Sequence, residues 1–443
     1  MSNTALGPNY RKLFSASTIS NLGDGVAMIA YPWLATALTR NPLLIALVGV
    51  VQRLPWLLFS LPAGVITDRY NRRTLMMSAS AVRAALTLGV AMVVLGAQDS
   101  LPGPDVLSNA DLGFDTRVGL YLVVLAATAL LGIGEVLYDN AAQTFMPSIV
   151  ESDQLEKANG RLWSTEQIAN TFAGPPLGAL LIAVTFSLPF FVDAVTFAVA
   201  AVLIALIPTA TRTPPPRVQD RKPWRTELAE GFGWLWRHDL LRPMAIILGL
   251  LNAIGMMTAS VFVLFAQEVL DTSATEFALV STGGAVGGII GGWSASSISR
   301  RIGTGPSLWL TLIVGGISTA AIGFANWWPF VWMMFAVYML LGVLWNVITV
   351  SLRQTIIPDE LLGRVNSVYR FFAWGMMPIG AIAGGLIVAV GDTTLSRETA
   401  LRLPWLIAGG LQILLFVFAA PKLTTAKIEA ARHDVPGDRA QTR

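Results

Sequence analysis

Long apolar runs recur along this sequence, and they restrict its fold more than any other feature. Each is close to the roughly 20 residues that a helix needs to cross the hydrocarbon core of a bilayer. Inside a bilayer only helices and closed barrels satisfy their own backbone hydrogen bonds, and these runs lack the two-residue alternation of barrel strands. The sequence therefore predicts an all-α membrane protein with 12 transmembrane helices, at 13–38, 43–66, 74–97, 118–144, 163–186, 188–208, 243–266, 276–298, 305–325, 328–352, 365–391 and 402–420.

The composition agrees with this prediction and excludes several classes of function. Hydrophobic residues make up 54% of the chain and charged residues 13%, whereas about 25% of an ordinary soluble domain is charged. The chain has no cysteine and only two histidines, which excludes thiol catalysis and leaves little for a metal site. It also lacks a G-x-x-x-x-G-K phosphate loop. We therefore predict no catalytic residue, no metal, no nucleotide and no cofactor.

The basic residues indicate how the helices are oriented. With a cytoplasmic N-terminus, nearly all Lys and Arg of the loops fall on the cytoplasmic side, as the positive-inside rule requires. The first run carries Asn21 and Asp24 and has no small-residue cleavage site behind it, so we expect a retained helix and not a signal peptide. The basic charge is spread over many loops, which does not indicate a nucleic-acid interface. Both termini are therefore expected in the cytoplasm.

A charged turn after the second predicted helix is the most specific motif of the chain. Residues 64–73 read GVITDRYNRR, and a degenerate copy without the acid follows the eighth predicted helix. The aligned pairs are Gly64 with Gly292, Asp68 with Ser296, Arg69 with Ser297, Arg72 with Arg300 and Arg73 with Arg301. Such a copy predicts that two halves of six helices arose by a parallel duplication.

The turn and the duplication resemble the major facilitator superfamily of transporters, and the resemblance extends over nearly the whole chain. Within that superfamily, Gly23-Asp24, residues 31–34, residues 147–159 and Glu230-Gly231 are similar to bacterial exporters of drugs, macrolides and siderophores. The resemblance implies the major facilitator fold, with two pseudo-symmetric six-helix bundles that work by alternating access.

The domain boundaries follow from this reading. The two bundles are expected at 1–208 and 243–420, with a cytoplasmic linker at 209–242 and a cytoplasmic tail at 421–443. In the linker, an apolar stripe at helical spacing predicts an amphipathic helix on the membrane surface, formed by Trp224, Leu228, Phe232 and Leu235. The tail is polar from Lys422 onward and is expected to be disordered.

The resemblance also implies a gating role for the charged turn. In that family the acid, here Asp68, meets the N-terminal end of the eleventh helix, near 364–367, when the transporter is closed to the cytoplasm. Gly64 lets neighbouring helices approach, and Arg69, Arg72 and Arg73 are expected to face headgroups and nearby acids. The alternative is a positively charged anchor for topology, which would not need the acid.

Charged residues inside the predicted helices form a second group of candidates, because charges in a bilayer are costly and functional by default. Asp24 falls near the middle of the first helix and is our first candidate for the acid that couples transport to protons. The alternative is a permanent ion pair of Asp24 with Arg53 or Arg83, which lie at a similar estimated depth.

Two further acids lie on the fourth predicted helix. Glu135 and Asp139 are four residues apart and share a helix face, where two acids in a low dielectric cannot both ionise cheaply. This pattern suits a proton relay, although Asp139 at the cytoplasmic third could instead be solvated or paired with Lys157 or Arg161. Related transporters carry an arginine on this helix, and its absence here puts a coupling mechanism taken from them in doubt. Asp193, near the start of the sixth helix, is expected to cap it.

The fifth predicted helix carries a motif with a functional and a structural interpretation. Gly174, Pro175 and Gly178 match the spacing of the G-P-x-x-G element that the family's antiporters have on this helix, and the resemblance favours export. Glycines also let helices pack closely, so packing alone is the alternative.

Methionine and aromatic residues suggest what passes through the protein, because methionine adapts its shape and aromatic rings stack. The candidates for the lining of the route are Met28, Tyr31, Trp56, Trp345 and Trp374.

We predict a monomeric, proton-driven exporter of lipophilic or amphipathic small molecules, whose partners are its substrate, protons and the bilayer. A dedicated siderophore exporter and an importer are the alternatives within the fold, and a channel or a membrane enzyme is the alternative from another class.

Overall fold

Sixteen α-helices contain most of the residues that the computed structural model describes, which are 6–107, 114–151, 154–208 and 224–433. Among these residues no strand occurs. The prediction of an all-α protein is confirmed, and the helix lengths agree with repeated crossings of a bilayer.

Seven α-helices precede residue 208. A six-residue π-helix, Ile168–Ala173, joins the fifth and sixth of them, so that together they correspond to one predicted span. The helices are α1 Gly7–Leu38, α2 Pro42–Arg69, α3 Arg72–Ala97, α4 Val118–Phe145, α5 Leu155–Gln167, α6 Gly174–Val184 and α7 Leu188–Ala205.

Nine α-helices follow residue 223 in the described part of the chain. The helices are α8 Trp224–Arg237, α9 Leu241–Ala259, α10 Phe262–Glu268, α11 Ala274–Ile302, α12 Thr304–Gly323, α13 Trp328–Ile356, α14 Asp359–Gly391, α15 Arg397–Ala419 and α16 Thr425–His433.

Side chains that cap helices explain several of these boundaries. Asn41 precedes α2 and its side-chain oxygen accepts hydrogen bonds from the backbone N–H groups of Leu43 and Leu44, while Pro42 occupies the first helical position. Asn71 caps α3 in the same way through the N–H of Thr74. The charged turn is therefore short because one helix ends at Arg69 and the next is capped two residues later.

Eleven helical segments of the described chain are long and apolar enough to span a membrane, against the twelve predicted. The remaining predicted span is α1, which has 32 residues and is ample in length. Its serines and Asn21, in the N-terminal half, and Asp24, just past the middle, lower its apolar character. The polar residues of α1 therefore lie around Asp24, the acid for which the sequence predicts a function.

The chain divides into two compact units. Unit 1 contains Met1–Arg217 and Ala266–Leu279, and unit 2 contains Val218–Phe265 and Val280–Arg443. In unit 1, α1 and α3 both pack against α7, and α4 packs against α2 and α3. In unit 2, α9 packs against α14, and α12 packs against α13 and α15. The predicted boundaries at 208 and 243 stay a prediction.

The segment Ala266–Leu279 belongs to unit 1 although its neighbours in sequence belong to unit 2. Arg40 pairs with Glu268 at 2.7 Å, and the side-chain amide of Gln267 donates to the hydroxyl of Thr36 at 3.0 Å. The Glu268 side chain is only 2% exposed, so its charge depends on this pairing. These contacts fix the end of α10 to α1 and to the turn before α2.

Helix α8 forms where the linker helix was predicted, and of the predicted stripe Leu235 is buried whereas Phe232 is exposed. Leu235 is 1% exposed and Trp234 packs against the same core of unit 2, whereas Phe232 is exposed and stacks on exposed Trp236 with ring centroids 5.3 Å apart. The side chains of Trp224 and Leu228 lie outside the described residues. The exposed Phe232 and Trp236 rings give the helix an apolar surface next to its buried face.

The expectation of a disordered tail is wrong for residues 425–433, which form α16. Ile428 is fully buried in the core of unit 2, and the hydroxyl of Thr425 accepts a hydrogen bond from the backbone N–H of Gly305 at 3.2 Å. One apolar residue in a polar segment therefore anchors a short helix. Residues 434–443 of the predicted tail lie outside the described residues.

Candidate functional site

A buried arginine lies at the centre of the charged side chains of unit 1. Arg83 on α3 is 3% exposed, and its Nη2 donates to Oδ1 of Asp24 on α1 at 2.5 Å. A buried charge is tolerated only when it is paired, because the attraction must offset the loss of water. Of the two arginines proposed as partners for Asp24, the structure brings Arg83 to it. The ion-pair arrangement is therefore present in this structure, and the coupling role of Asp24 stays a prediction.

The guanidinium of Arg83 is held from two more sides. It lies 3.9 Å from the ring centre of Phe197 on α7, a cation–π distance. On α4, a methyl group added to Gly134 would come within 2.9 Å of Cγ of Arg83, so the aliphatic stem runs along this glycine. The Nε atom is buried without a hydrogen-bond partner. Arg83 is thus fixed by packing while part of its hydrogen-bonding capacity is unused.

Asp24 is positioned by the two glycines beside it. At Gly23, an added methyl group would collide with the side chains of Asp193 and Thr196 on α7. At Gly25, it would lie 2.8 Å from the carbonyl oxygen of Ala169 in the π-helix. Because α1 meets a neighbour on each side of Asp24, the carboxylate has little freedom to move along the bundle.

The antiporter-like motif forms this close crossing. A methyl group at Gly174 would be 2.5 Å from Cα of Gly25, and one at Gly178 would be 2.6 Å from the carbonyl oxygen of Val26. Pro175, between them, is buried at the start of α6. The geometry is that of the packing alternative, and it places the motif one residue from Asp24.

The π-helix adds a polar contact one turn away from the ion pair. Asn170 in this segment donates through its side-chain amide to the side-chain oxygen of Asn21 at 2.9 Å. Asn21 in turn donates to the backbone of Ser17. Single π turns inside transmembrane helices are frequent at functional sites. Here the π turn places the side-chain amide of Asn170 against the polar face of α1.

Asp193 is the residue of this cluster that the sequence interpretation misplaced. It lies at the sixth position of α7, beyond the first turn, and is 2% exposed, so the expected capping role is wrong. The hydroxyl of Thr196 donates to its backbone oxygen at 2.7 Å and lies 3.3 Å from Oδ1. The signal that could have found it is its spacing of four residues from Phe197, which contacts Arg83.

The acids of α4 lie near the same arginine. The charges of Glu135 and Asp139 are close enough to Arg83 to interact with it, as is the charge of Asp193. Trp56 on α2 donates through its indole N–H to Oε1 of Glu135 at 3.4 Å, so this cavity candidate contacts a coupling candidate. The cluster therefore holds one arginine, one directly bonded acid and three further acids within electrostatic reach.

Two arginines of the charged turn have partners that the sequence did not predict. Arg72 donates to the carbonyl oxygen of Thr144 at 2.8 Å, and Arg73 donates to the carbonyl oxygens of Ile204 at 3.2 Å and of Ala205. These carbonyls end α4 and α7, where helix C-termini leave acceptors unused. The hydrogen-bond partners of Arg72 and Arg73 are therefore main-chain carbonyls and not the acids expected, whereas their contact with headgroups stays a prediction.

The remaining residues of the turn leave the gating hypothesis untested. Arg69 is exposed, and the surroundings of Gly64 and of the Asp68 side chain lie outside what the structure describes, so the gating role of Asp68 stays a prediction. Arg53 is half-buried on α2.

The candidates for the lining of the route divide into exposed and buried residues. Met28 is 47% exposed, whereas Tyr31 is buried and packs edge-on against Phe190 with ring centroids 5.0 Å apart. Tyr31 therefore forms part of the packed interior of unit 1. In unit 2, Trp345 is buried beside a small cavity and Trp374 is half-buried.

Comparison with known proteins identifies relatives of the whole chain. The sequence profile of the Major Facilitator Superfamily matches residues 13–377. The chain is 27% identical over 432 residues to the multidrug efflux pump Tap of Mycolicibacterium fortuitum, which covers 94% of this chain and 97% of that protein. It is 24% identical over 413 residues to the enterobactin exporter EntS of Shigella boydii serotype 4 (strain Sb227), which covers 93% and 92%.

Solved structures of transporters share the fold. The nucleoside transporter NupG superposes with a TM-score of 0.65 at 13% identity, covering 94% of this chain and all of the other. An inward-facing, unoccupied bacterial homologue of the human lysosomal transporter Spinster superposes with a TM-score of 0.68 at 13% identity, covering 97% of each chain. At these identities the likeness concerns the fold alone.

Proposed function

This chain belongs to the major facilitator superfamily and is a multi-pass membrane transporter, and we propose that it is a secondary active exporter of lipophilic or amphipathic small molecules, driven by proton antiport. The observation that carries the proposal is the pair of the buried Arg83 with the partly exposed Asp24, with further acids around it. Such a cluster can exchange a proton and rearrange, whereas a merely structural pair needs one acid.

The proposed coupling step is an exchange of partners around Arg83. A proton that binds Asp24 removes the charge that attracts the guanidinium, and Glu135, Asp139 and Asp193 become its competing acceptors. When Asp24 releases the proton, the original pair forms again. Coupling requires that substrate binding and protonation favour different arrangements of this cluster.

The relatives support export of lipophilic compounds as the substrate class. A multidrug efflux pump and an enterobactin exporter align with nearly the whole chain at 27% and 24% identity. The exposed Met28 and the half-buried Trp56 offer adaptable apolar contacts, which favour lipophilic molecules as the substrate class. A dedicated siderophore exporter is the second candidate, favoured by the alignment with the enterobactin exporter.

The proposal includes a location and an orientation. The chain would lie in the cytoplasmic membrane of a bacterium as a monomer, with both termini in the cytoplasm and its loop arginines and lysines on that side. Its partners would be the substrate, protons and the bilayer. A channel or an enzyme would differ in kinetics, because a carrier gives saturable flux that depends on the gradient and returns the substrate chemically unchanged.

The test measures accumulation of ethidium in cells with and without the protein, with and without an uncoupler. We expect lower accumulation in cells that carry the protein, and loss of this difference with the uncoupler.

Asp24→Asn should reduce gradient-driven ethidium flux in proteoliposomes at least tenfold at equal amounts of protein. Asp392→Asn, which removes the acid of an exposed pair with Arg397, is the matched control and should leave the flux unchanged.

Each part of the proposal has its own contradicting result. Equal ethidium accumulation with and without the protein, repeated with lipophilic antibiotics, would refute the substrate class and favour the siderophore exporter. Undiminished coupling in Asp24→Asn would refute the assignment of the proton-binding acid.

A further inference from the structure

Asp193 on α7 is a buried acid without a cation at ion-pair distance. It is 2% exposed, and it takes part in none of the ion pairs that the described residues form. The charges that act on it are those of Asp24 on α1 and Arg83 on α3. An ionised carboxylate at this depth needs a paired cation, because burial removes the water that would stabilise its charge. The surroundings of Asp193 therefore favour the neutral acid.

The hydroxyl of Thr196 indicates which atom of Asp193 carries the proton. This hydroxyl has a single hydrogen, which it donates to the backbone oxygen of Asp193 at 2.7 Å. Its oxygen also lies 3.3 Å from Oδ1 of the same residue. Because the hydrogen is already used, the hydroxyl oxygen offers a lone pair to Oδ1. The contact fits a carboxyl O–H that donates from Oδ1 to Thr196.

Asp193 lies beside the pair of Arg83 and Asp24. A methyl group added at Gly23, the residue before Asp24, would collide with Oδ1 of Asp193, so this oxygen faces α1. Phe197 follows Asp193 by four residues, and residues at this spacing share a helix face. The guanidinium of Arg83 is already 3.9 Å from the centre of the Phe197 ring. Arg83 therefore contacts both an acid of α1 and the face of α7 that carries Asp193.

The two acids of α4 near Arg83 have different surroundings. Glu135 and Asp139 are half-buried, so water can still stabilise their charges. Glu135 also accepts a hydrogen bond from the indole of Trp56 at 3.4 Å. Among the acids that do not pair with Arg83 in this structure, Asp193 is thus the one whose charge depends most on gaining the arginine as a partner.

We propose that Asp193 is a second proton site of this cluster and exchanges roles with Asp24. In the arrangement of this structure, Arg83 pairs with ionised Asp24, and Asp193 holds a proton. When a proton binds Asp24, Arg83 moves to Asp193, which releases its own proton. One proton enters the cluster at Asp24 for each proton that leaves it from Asp193. This inference rests on the proposed transport function and identifies the acid that takes Arg83 over.

A purely structural role for Asp193 is the alternative. The acid would then fill the space beside Gly23 and contact Thr196 whatever the charge of Asp24. The two alternatives differ in how Asp193 responds when Asp24 loses its charge. A proton site releases its proton and pairs with Arg83, whereas a structural acid stays as it is.

The first experiment is a double-variant cycle on the purified full-length protein in detergent, measured by melting temperature. Asp193→Asn replaces a neutral acid with a neutral amide of similar shape, so its melting temperature should stay within about 2 °C of the wild type. In Asp24→Asn, Asp193 becomes the partner of Arg83. The double variant leaves Arg83 without either acid, and its melting temperature should fall by about 5 °C more than the two single variants together.

Asp139→Asn is the matched control in this cycle, because it removes another acid whose charge acts on Arg83. Its effect should add to that of Asp24→Asn. The inference is overturned if the effects of Asp24→Asn and Asp193→Asn add, or if Asp139→Asn shows the coupling in their place. A large loss of stability in Asp193→Asn alone would also overturn it, since Asp193 would then be ionised in the wild type.

Infrared spectra provide a second measurement, which needs only single variants. The C=O stretch of a protonated carboxyl group is separate from the bands of a carboxylate. The wild-type spectrum minus that of Asp193→Asn should show the protonated band. The wild-type spectrum minus that of Asp24→Asn should show it too, because Asp193 has released its proton in that variant. Asp392→Asn, which removes an exposed ionised acid, should keep the protonated band of the wild type.

The contradicting spectra are equally specific. Carboxylate bands in the difference for Asp193→Asn, or a protonated band that survives in Asp24→Asn, would overturn the exchange of roles. Both measurements use neither substrate nor a proton gradient, so they are independent of the ethidium assay. Loss of the exchange with efflux intact would refute the role of Asp193 alone, whereas an intact exchange without ethidium efflux would refute the proposed substrate class alone.

Discussion

The interiors of the two units differ in charge although the charged turn of unit 1 has a degenerate copy in unit 2. Unit 1 buries Arg83 against Asp24 with three more acids nearby, whereas the small cavity of unit 2 is lined by neutral groups around Trp345 and Gln412. Duplication preserves the arrangement of helices and leaves each half free to acquire its own polar chemistry. The described parts of the two units therefore combine similar helices with different interior chemistry, charged in unit 1 and neutral around the cavity of unit 2.

The repeated turn shows the same divergence at the surface. In unit 1, Arg72 and Arg73 donate to the carbonyls that end α4 and α7. In unit 2, the aligned Arg300 and Arg301 are exposed, and Arg300 donates to Ser297 at 3.3 Å on its own helix. A motif can therefore persist in sequence after its packing role has been lost in one copy.

The largest effect is expected from removing the arginine of unit 1. Arg83→Met leaves the carboxylate of Asp24, which is 30% exposed, without its partner; we expect a loss of about 1–3 kcal/mol and no gradient-driven flux. The double variant Arg83→Met with Asp24→Asn removes both charges, so its thermal stability in detergent should recover while transport stays absent. Gln412→Leu, in the neutral cavity, should not lower stability comparably. A double variant that is no more stable than the single one would contradict an ion pair.

A smaller effect is expected at the close crossing of α1 and α6. Gly174→Ala places a methyl group 2.5 Å from Cα of Gly25, so the helices must separate beside Asp24. We expect a loss of about 1–3 kcal/mol from overpacking and slower transport. Gly89→Ala on α3 has open space around it and is the control, with unchanged or slightly raised stability. Equal melting temperatures of the two variants would show that the crossing is not tight.

The charged turn allows a direct comparison of the two copies. Arg73→Ala removes hydrogen bonds from a charged group to the C-terminal carbonyls of α7, which we expect to cost about 1–2 kcal/mol. Arg301→Ala at the aligned exposed position should have no measurable effect on the melting temperature. If both variants lose stability equally, the packing difference between the copies has no energetic consequence.

The elements that the sequence predicted well are those fixed by long apolar periodicity. The spans follow from patterns that extend over about 20 residues, and tertiary contacts do not alter them, whereas the duplication stays a prediction. The pairing of Asp24 with Arg83 was predictable as one of two options, because depth in a bilayer can be counted from helix ends. Choosing Arg83 over Arg53 required the rotation of each helix, which depth does not provide.

The features that the sequence did not reveal depend on single residues and on register. The π-helix Ile168–Ala173 changes which side chains α5 and α6 present to α1. No local sequence motif predicts this π-helix. Asp193 was assigned to the wrong role although α7 begins at Leu188 as predicted, because the sixth position lies beyond the first turn, where capping groups lie. Helix α16 depends on one buried isoleucine, Ile428, whose pocket is built by distant parts of the chain.

The smallest predicted effect concerns His238, which lies before α9 in unit 2. Its Nδ1 accepts hydrogen bonds from the backbone N–H groups of Leu240 and Leu241 at 3.2 Å each, which requires a neutral ring, and burial lowers the pKa of His238 below its usual value. Below pH about 6.5 the unfolded chain binds a proton that the folded chain does not, so the wild type should lose stability as the pH falls from 8 to 5.5. His238→Asn keeps an acceptor that does not titrate, and its melting temperature should fall less over this range. His433→Asn, at the other histidine, is the control and should follow the wild type. A wild-type pH dependence unchanged in His238→Asn would show that this histidine does not set the start of α9, and it would leave the charged unit 1 as the part of the molecule to search for the pH-sensitive group.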